Sequence, residues 1–162
     1  MKVELKRVEP MLVAFMRHVG PYGQVSTTWD KLMPILGKEG LLGGSPMCIG
    51  ICHDDPEVTP PSKLRYDACV TVDEGFRPDG LSELGGPDAE IGLQTIPGGE
   101  YAVTTHQGPY KKLGDTYAAL LGQWLPRSGR ELASSPCFEV YLNSPESTAP
   151  EDLLTDVYAP LR

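Results

Sequence analysis

The sequence contains the same pattern twice, and this repeat constrains the fold more than any other feature. The pentapeptide HVGPY at residues 18–22 recurs as HQGPY at residues 106–110, with four identities in five positions at an offset of 88. A second block, TPPSKLRYD at residues 59–67, recurs as TAPEDLLTD at residues 148–156, at an offset of 89. Because the spacing of the blocks is almost constant, each half is expected to fold as one copy of the same supersecondary unit.

Each copy is predicted to begin with a strand followed by a helix. Residues 11–18 are rich in large apolar and β-branched types, which favours a strand, and the Gly20-Pro21 pair after it suits the first turn of a helix. Pro34 is expected to end or kink the first helix, and Pro126 to close the second. An apolar stripe at helical spacing follows in both copies: Val25, Trp29, Leu32, Met33 and Leu36, and then Leu113, Tyr117, Leu120, Leu121 and Trp124.

The remaining apolar runs are predicted to be strands, which gives an α+β fold. We expect two β-α-β-β repeats, related by a pseudo-twofold axis, that form a curved antiparallel sheet of about eight strands with two helices on one face. Residues 1–162 are assigned to a single domain, with repeat one at 1–72, a linker loop at 73–88 and repeat two at 89–162. The further strands are predicted at 2–8, 47–52, 64–72, 89–96, 137–142 and 154–159.

The charge balance argues against direct binding of nucleic acid. Lys and Arg number 14 against 22 Asp and Glu, which gives a net charge of −8, and no segment concentrates the basic residues. Affinity for nucleic acid depends on Lys and Arg that neutralise phosphates, whereas an acidic surface concentrates cations. No apolar run approaches the roughly 20 residues that span a bilayer, and the first residues lack the apolar core of a secretory signal. A cytoplasmic protein without a membrane partner is therefore expected.

Cysteine and histidine do not have the spacing of a metal site. Cys48, Cys52 and His53 are the nearest to one, but on a strand Cys52 and His53 would point to opposite faces. The cysteines are interpreted as buried thiols, and neither a metal nor a cofactor is predicted. His18 and His106 directly precede the two Gly-Pro helix entries and are interpreted as structural.

One strand position distinguishes the two copies chemically. When the Ser-Pro pairs at residues 45–46 and 135–136 are aligned, Glu139 occupies the position of Ile49. Cys137, Glu139 and Tyr141 share one face of their strand. Two interpretations remain open: Glu139 faces solvent, or it lies in an apolar pocket. In the second case the carboxylate needs a charged or hydrogen-bonding partner, which a ligand cation can supply.

Aromatic residues complete a candidate site for a cation. A ring that faces a delocalised cation contributes roughly 0.5–2 kcal/mol, although any one of these rings is also suited to a place in the core. Tyr22 and Tyr101 belong to the same group of predicted helix and strand positions. The candidate ligand-binding residues are Glu139, Tyr141, Tyr110, Tyr117, Trp29, Tyr66 and Trp124.

These blocks resemble the GyrI-like small-molecule-binding family, which includes the gyrase inhibitory protein and the effector-binding domains of AraC- and MerR-type drug-responsive regulators. The resemblance rests on the two Gly-Pro-Tyr helix entries, residues 59–67, GGEYA at 98–102 and, above all, PCFEVYLN at 136–143. It implies the duplicated fold, a ligand groove between the repeats, and a glutamate, here Glu139, that binds the positive charge of the ligand. Residues 1–162 are expected to be a stand-alone member, without a helix-turn-helix module.

Three functions follow, of which the first is favoured. The chain is expected to bind bulky, amphipathic, cationic small molecules such as drugs or dyes. The alternative from the enzyme class is a hydrolase, in which Glu139 activates water and Tyr110 or Tyr117 donates a proton to the leaving group. The third is inhibition of DNA gyrase by protein–protein contact, or action through a regulator. A haem-binding role would have only His53 as a candidate axial ligand.

Overall fold

The chain folds into strands and helices in the order that the repeat predicts. The structure, a computed structural model, describes residues 1–38, 46–77 and 90–162. The strands in these residues are β1 Glu4–Val8, β2 Met11–Val19, β3 Cys48–Cys52, β4 Arg65–Thr71, β5 Gly92–Ile96, β6 Gly99–Gln107, β7 Cys137–Tyr141 and β8 Leu154–Pro160. The helices are α1 Ser26–Lys38, α2 Leu113–Ala119 and α3 Leu125–Ser128, with a π-helical turn, Leu120–Trp124, between α2 and α3. The α+β prediction, with duplicated β-α-β-β repeats, is confirmed.

The chain divides into two compact units. The repeat-one unit comprises Pro10–Ile96, and the repeat-two unit comprises Met1–Glu9 together with Pro97–Arg162. Most of the predicted linker, residues 78–88, lies outside the described residues. In the part that is described, Phe76 is buried against the core of the repeat-one unit.

The first strand of each repeat pairs with the sheet of the other repeat. β1 pairs antiparallel with β6, from Glu4 opposite Val103 to Val8 opposite Gly99. Likewise, β5 pairs with β2, from Met11 opposite Ile96 to Phe15 opposite Gly92. The bounds of the compact units therefore differ from those of the sequence repeats, because each unit includes the first strand of the other repeat.

In the repeat-one unit, α1 covers one face of the sheet β3-β4-β2-β5. Alternate residues of each strand point to this face, and a large buried apolar side chain contributes about 1.5–3 kcal/mol. This packing, rather than intrinsic propensity, holds so short a helix. The buried residues of this core are Ala14, Met16, Leu32, Ile35, Leu36, Tyr66, Ala68, Val70, Phe76 and Ile91.

The repeat-two unit has the same plan, with the sheet order β1-β6-β8-β7. Its helical segment packs over an equivalent apolar cluster. The buried members of that cluster are Ala102, Leu113, Leu120, Val157, Ala159 and Leu161. None of the helices in residues 1–38, 46–77 and 90–162 is long and apolar enough to cross a membrane.

The two helix entries are alike in detail. Gly20 and Gly108 have φ values of 139° and 132°, a region that L-residues avoid, which explains why both are glycine. Their N–H groups donate to the carbonyls of Leu64 and Leu153, at 2.8 and 2.9 Å. A short 3-10 turn follows each Gly-Pro pair, Tyr22–Gln24 in one unit and Tyr110–Lys112 in the other.

The prolines do not end the helices where the sequence suggests. α1 continues past Pro34 to Lys38. Pro34 lies on the exposed side of the helix, where water can satisfy the backbone carbonyl that the proline leaves without its helical hydrogen bond. The second helix also passes Pro126, and it ends at Gly129, whose φ is 74°. The π turn just before Pro126 widens the helix where the proline ring would otherwise meet the carbonyl of Gly122.

Candidate functional site

A buried carboxylate lies beneath the helix of the repeat-two unit. Glu139, in the middle of β7, is only 6% exposed. Its Oε2 accepts a hydrogen bond of 2.7 Å from the Tyr117 hydroxyl of α2, and its Oε1 accepts one of 2.8 Å from the Tyr141 hydroxyl. The interpretation that Glu139 faces solvent is therefore wrong.

The sequence positions these three side chains through two periodicities. Glu139 and Tyr141 are two residues apart on β7, so they share a face of the sheet. Tyr117 belongs to the apolar stripe of α2, which packs on that face. A fourth predicted residue joins the set, because the Tyr110 ring meets the Tyr141 ring edge-on, with centroids 5.6 Å apart.

Glu139 lies beside apolar side chains, and its charge influences a neighbouring thiol. Cys137, two residues earlier on the same face, packs against the apolar cluster of the repeat-two unit. Burial, with a further contribution from the negative charge of Glu139, raises the pKa of the Cys137 thiol to about 11. The negative charge of Glu139 therefore acts on a neighbouring group of the same unit.

The strand register corrects the comparison between the repeats. Glu139 lies opposite Val157, and Gly50 lies opposite Ala68, so the strands correspond at an offset of 89. The counterpart of Glu139 is therefore Gly50, and not Ile49 as the Ser-Pro alignment indicated. Ile49 corresponds to Phe138, on the other face of the sheet.

Two of the predicted residues form a separate pair in the repeat-one unit. Trp29 Nε1 donates a hydrogen bond of 3.0 Å to the hydroxyl of Tyr66, whose ring lies 6.2 Å from that of Tyr22. Trp29 corresponds to Tyr117 at the offset of 88, so the repeats place an aromatic side chain at the same point of each helix. The predicted groove between the repeats stays a prediction.

The other predicted aromatics have positions of their own. Trp124, at the end of the π turn, packs against the apolar cluster of the repeat-two unit. Tyr101 lies on the opposite face of that sheet, where its ring packs against Phe138 and Tyr158 at centroid distances of 5.3 and 5.9 Å. Tyr101 therefore does not belong to the set around Glu139.

Comparison with known proteins identifies the family. The model of the GyrI-like small molecule binding domain matches residues 1–162. The chain belongs to the GyrI-like family. The DNA gyrase inhibitor of Escherichia coli (strain K12) is 33% identical to this GyrI-like chain over 149 residues, which cover 89% of the chain and 87% of that protein.

Solved structures share the GyrI-like fold. The C-terminal domain of EcmrR has a TM-score of 0.75 at 21% identity, over 99% of this chain and 97% of that one. The structure of SAV2435 bound to tetraphenylphosphonium has a TM-score of 0.63 at 16% identity, over 100% of this chain and 94% of that one. At these identities the likeness shows the fold, and the family match shows a small-molecule-binding domain.

The two histidines that recur in the repeats of this GyrI-like domain stabilise the helix entries. His18 forms hydrogen bonds of 3.2 Å with Thr28 Oγ1 and 3.1 Å with the carbonyl of Pro21. His106 forms the equivalent bonds, of 2.7 Å with Thr116 and 3.1 Å with Pro109. Because both ring nitrogens are used in each case, the geometry matches the structural interpretation.

The residues considered for a metal do not come together. Cys48 and Cys52 pack against the core beneath α1, whereas His53 bonds to Asp67 at 2.7 Å. Within residues 1–38, 46–77 and 90–162, no group of three or more His, Cys, Asp or Glu side chains is arranged to hold a metal ion.

Sequence reasoning missed a second buried carboxylate, Asp67. Its side chain is 0% exposed and accepts two hydrogen bonds from Arg17, at 2.8 and 3.0 Å. His53 and Gln94 bond to its Oδ2 at 2.7 and 2.9 Å. Burial by itself would raise the pKa of Asp67, but the bonds from His53, Arg17 and Gln94 outweigh it and hold the pKa well below the usual range.

Proposed function

We propose that this GyrI-like domain binds bulky, amphipathic cations, and that the carboxylate of Glu139 recognises the positive charge. The observation that supports the proposal is the burial of Glu139 to 6% exposure, with the neutral hydroxyls of Tyr117 and Tyr141 among its partners. Hydroxyl donors stabilise a carboxylate without neutralising it. We infer that this carboxylate supplies the negative charge that a cationic ligand meets.

Electrostatics favours a large cation over a small one. A small, strongly hydrated ion loses more hydration energy in an apolar site than the carboxylate returns. A cation whose charge is spread over aromatic groups is weakly hydrated, and it also buries apolar area at about 25 cal/mol per Å². Both terms select ligands that are lipophilic as well as positive.

The rings beside Glu139 supply the second element of selectivity. Tyr110 and Tyr141 are half-buried, and their edge-to-face packing places an aromatic surface beside Glu139. A ring with an accessible face attracts a cation by roughly 0.5–2 kcal/mol. We infer that Trp124, which belongs to the same unit as Glu139, adds apolar contact area for the ligand.

Tetraphenylphosphonium is a suitable probe, because SAV2435, a structural neighbour, has been solved with this cation bound. Isothermal titration calorimetry with the purified chain should give a measurable Kd, and E139Q should weaken binding by roughly 30-fold, since loss of one partner of a desolvated charge pair costs about 2 kcal/mol or more. Neutral triphenylphosphine oxide, which has similar rings, should bind far more weakly than the cation.

The matched control is E4Q, which removes the same charge from an exposed position of the same unit. It should leave the affinity unchanged within about twofold, because exposed charges are screened. If E139Q and E4Q bind the cation alike, Glu139 does not recognise the charge.

Inhibition of DNA gyrase is a second candidate function, and similarity over most of the chain favours it. The relative from Escherichia coli that is 33% identical is named DNA gyrase inhibitor. Titration of the chain into a gyrase supercoiling reaction should slow the reaction. E139Q should inhibit as well as the parent, provided that inhibition depends on a surface contact. An unaffected reaction at high micromolar protein would remove this candidate.

Hydrolysis is supported only by the contact between Tyr117 and Glu139. The carboxylate and the phenol are 2.7 Å apart. In a hydrolase the carboxylate would act as the base that activates water, and the phenol would act as the acid that protonates the leaving group. Mass spectrometry of a panel of electrophilic esters and epoxides after incubation would reveal the product. Unchanged masses in every sample would contradict a hydrolase.

A further inference from the structure

One buried hydroxyl on the face that carries Glu139 has no hydrogen-bond partner. Thr155, on β8, is 0% exposed, and its Oγ1 is the atom that stands out among the buried side-chain polar atoms of the described residues. Burying a hydroxyl without a partner costs about 1–3 kcal/mol, so an atom of this kind in a folded protein calls for a reason.

The register places Thr155 beside the candidate site. Thr155 lies directly opposite Tyr141 of β7, and Glu139 lies opposite Val157 of β8. Residues directly opposite each other on paired strands have Cβ atoms roughly 5 Å apart, and diagonal neighbours about 7–8 Å. Thr155 is thus a direct neighbour of one hydrogen-bond donor of Glu139 and a diagonal neighbour of Glu139 itself.

The other repeat satisfies the equivalent position internally. Tyr66 corresponds to Thr155 at the offset of 89, and its hydroxyl accepts the hydrogen bond from Trp29 Nε1. In the repeat-two unit the helix position of Trp29 is occupied by Tyr117, whose hydroxyl donates to Glu139. Between the repeats, Trp29 on the helix is replaced by Tyr117, and Tyr66 on the strand is replaced by Thr155. Thr155 is smaller than Tyr66, and its hydroxyl has no hydrogen bond equivalent to the one between Trp29 and Tyr66.

We propose that Thr155 is a specificity-determining residue, which hydrogen-bonds a polar group on the cation that Glu139 attracts. This inference rests on the proposed function. A ligand cation competes with the Tyr117 and Tyr141 hydroxyls for the oxygens of Glu139, and side-chain movement of this size is common on binding. When Tyr141 turns away from Glu139, its cross-strand neighbour Thr155 becomes accessible to the ligand.

The chemistry of the group follows from the hydroxyl. Threonine both donates and accepts a hydrogen bond, so the ligand group is a neutral donor or acceptor such as an amine or a phenol. Because Thr155 is a diagonal neighbour of Glu139, at about 7–8 Å, this group is set roughly one aromatic ring away from the positive charge. Cations without such a group still bind through Glu139 and the rings, but they gain nothing from Thr155. The site therefore ranks cations of similar size by their polar substituents.

The test compares two probes that differ in one group, tetraphenylphosphonium and (4-hydroxyphenyl)triphenylphosphonium, at a pH where the phenol is neutral. The wild-type chain should prefer the phenol by roughly fivefold, the effect of one hydrogen bond of about 1 kcal/mol. T155V should abolish this preference and leave the Kd of tetraphenylphosphonium unchanged. T155S, which keeps the hydroxyl, should retain the preference.

The outcomes separate the two proposals. If both probes bind the wild type but T155V keeps the fivefold preference, or the wild type has no preference, the role of Thr155 is wrong while cation binding stands. If neither probe binds, the proposed function fails first. T155V replaces an unpartnered hydroxyl with a methyl group of similar size and should remain folded; should its melting curve show otherwise, T155A serves as the variant without a hydroxyl.

Discussion

Each repeat contains one fully or almost fully buried carboxylate, and the hydrogen-bond donors around the two differ. In the repeat-one unit, Asp67 is fully buried and is held by the guanidinium of Arg17, together with His53 and Gln94. In the repeat-two unit, the buried carboxylate is Glu139, which accepts hydrogen bonds from tyrosine hydroxyls. Asp67 is therefore matched by a cation from the protein itself, as a structural charge should be.

The repeats also differ at the positions that correspond to these two carboxylates. Asp67 corresponds to Asp156, which is only half-buried and accepts a hydrogen bond of 2.5 Å from Thr105, the counterpart of Arg17. Glu139 corresponds to Gly50, which has no side chain at all. Each copy of the duplicated fold therefore has a different buried carboxylate. Asp67 lies on one face of its sheet, and Glu139 lies on the opposite face of its own sheet.

The largest expected effect comes from removing the structural carboxylate. D67A leaves Arg17 and His53 without their shared partner and should lower the free energy of unfolding by about 3 kcal/mol, the usual cost of breaking a buried ion pair. D156A, at the equivalent place in the other repeat, should cost less than about 1 kcal/mol. Urea unfolding at pH 7 measures both values. Equal losses would show that the two aspartates do not differ as described.

Acid should remove the stabilising contribution of the Asp67 charge in the wild-type chain, without any substitution. The pKa of Asp67 is depressed in the folded state, so its stabilising effect is present above the unfolded value of about 3.9 and is lost as the pH falls below it towards the folded value. The difference in unfolding free energy between the wild type and D67N should therefore shrink by about 1.4 kcal/mol per pH unit below pH 4.

The control for the acid experiment is D156N, which removes the equivalent charge from a half-buried position where Thr105 takes the place of Arg17. A narrowing of the same size in D67N and D156N would show that acid affects the whole fold rather than the ion pair of Asp67. Urea midpoints at pH 7, 5 and 3 are sufficient. A gap between the wild type and D67N that is as wide at pH 3 as at pH 7 would contradict the stabilising role of the Asp67 charge.

The sequence predicts the fold well because the fold depends on local patterns. Strand alternation, the apolar stripes of the helices and the Gly-Pro entries are all local, and they recur in both halves. Strand partners are not local: β1 and β5 are short strands, and nothing in their patterns tells which sheet they will join. The exchange of first strands between the repeats could be found only from coordinates.

Single positions of the site were less predictable for the same reason. The Ser-Pro alignment gave an offset of 90, because the segment before β3 can gain or lose a residue without effect on the sheet. The register of β3 is set by its pairing with β4, and the TPPSKLRYD block before Asp67 already carried the correct offset of 89. Arg17 and Asp67 meet across two paired strands, a contact that neither strand predicts by itself.

A smaller effect is expected when the charge of Glu139 is removed. E139Q keeps an oxygen that can accept a hydrogen bond from Tyr117 or Tyr141, and it relieves the desolvation of a buried charge. Its free energy of unfolding should lie within about 1 kcal/mol of the wild type, although ligand affinity falls. A loss of stability as large as that of D67A would instead identify Glu139 as a second structural carboxylate.

The smallest effect concerns two cysteines at equivalent positions. Burial raises the pKa of both Cys48 and Cys137, but only for Cys137 does a neighbouring carboxylate, Glu139, add to the effect. E139Q should therefore lower the pKa of Cys137 and leave that of Cys48 unchanged. Because burial is the larger cause for Cys137, its pKa should stay above that of an exposed thiol.

Rates of iodoacetamide labelling from pH 8 to 11, resolved by peptide mass spectrometry, would report both thiols in one sample. If Cys48 responds to E139Q as strongly as Cys137 does, the variant has opened the structure generally, and the labelling does not report the local field of Glu139. If neither thiol responds, water screens the carboxylate, and the electrostatic argument for cation binding loses its support.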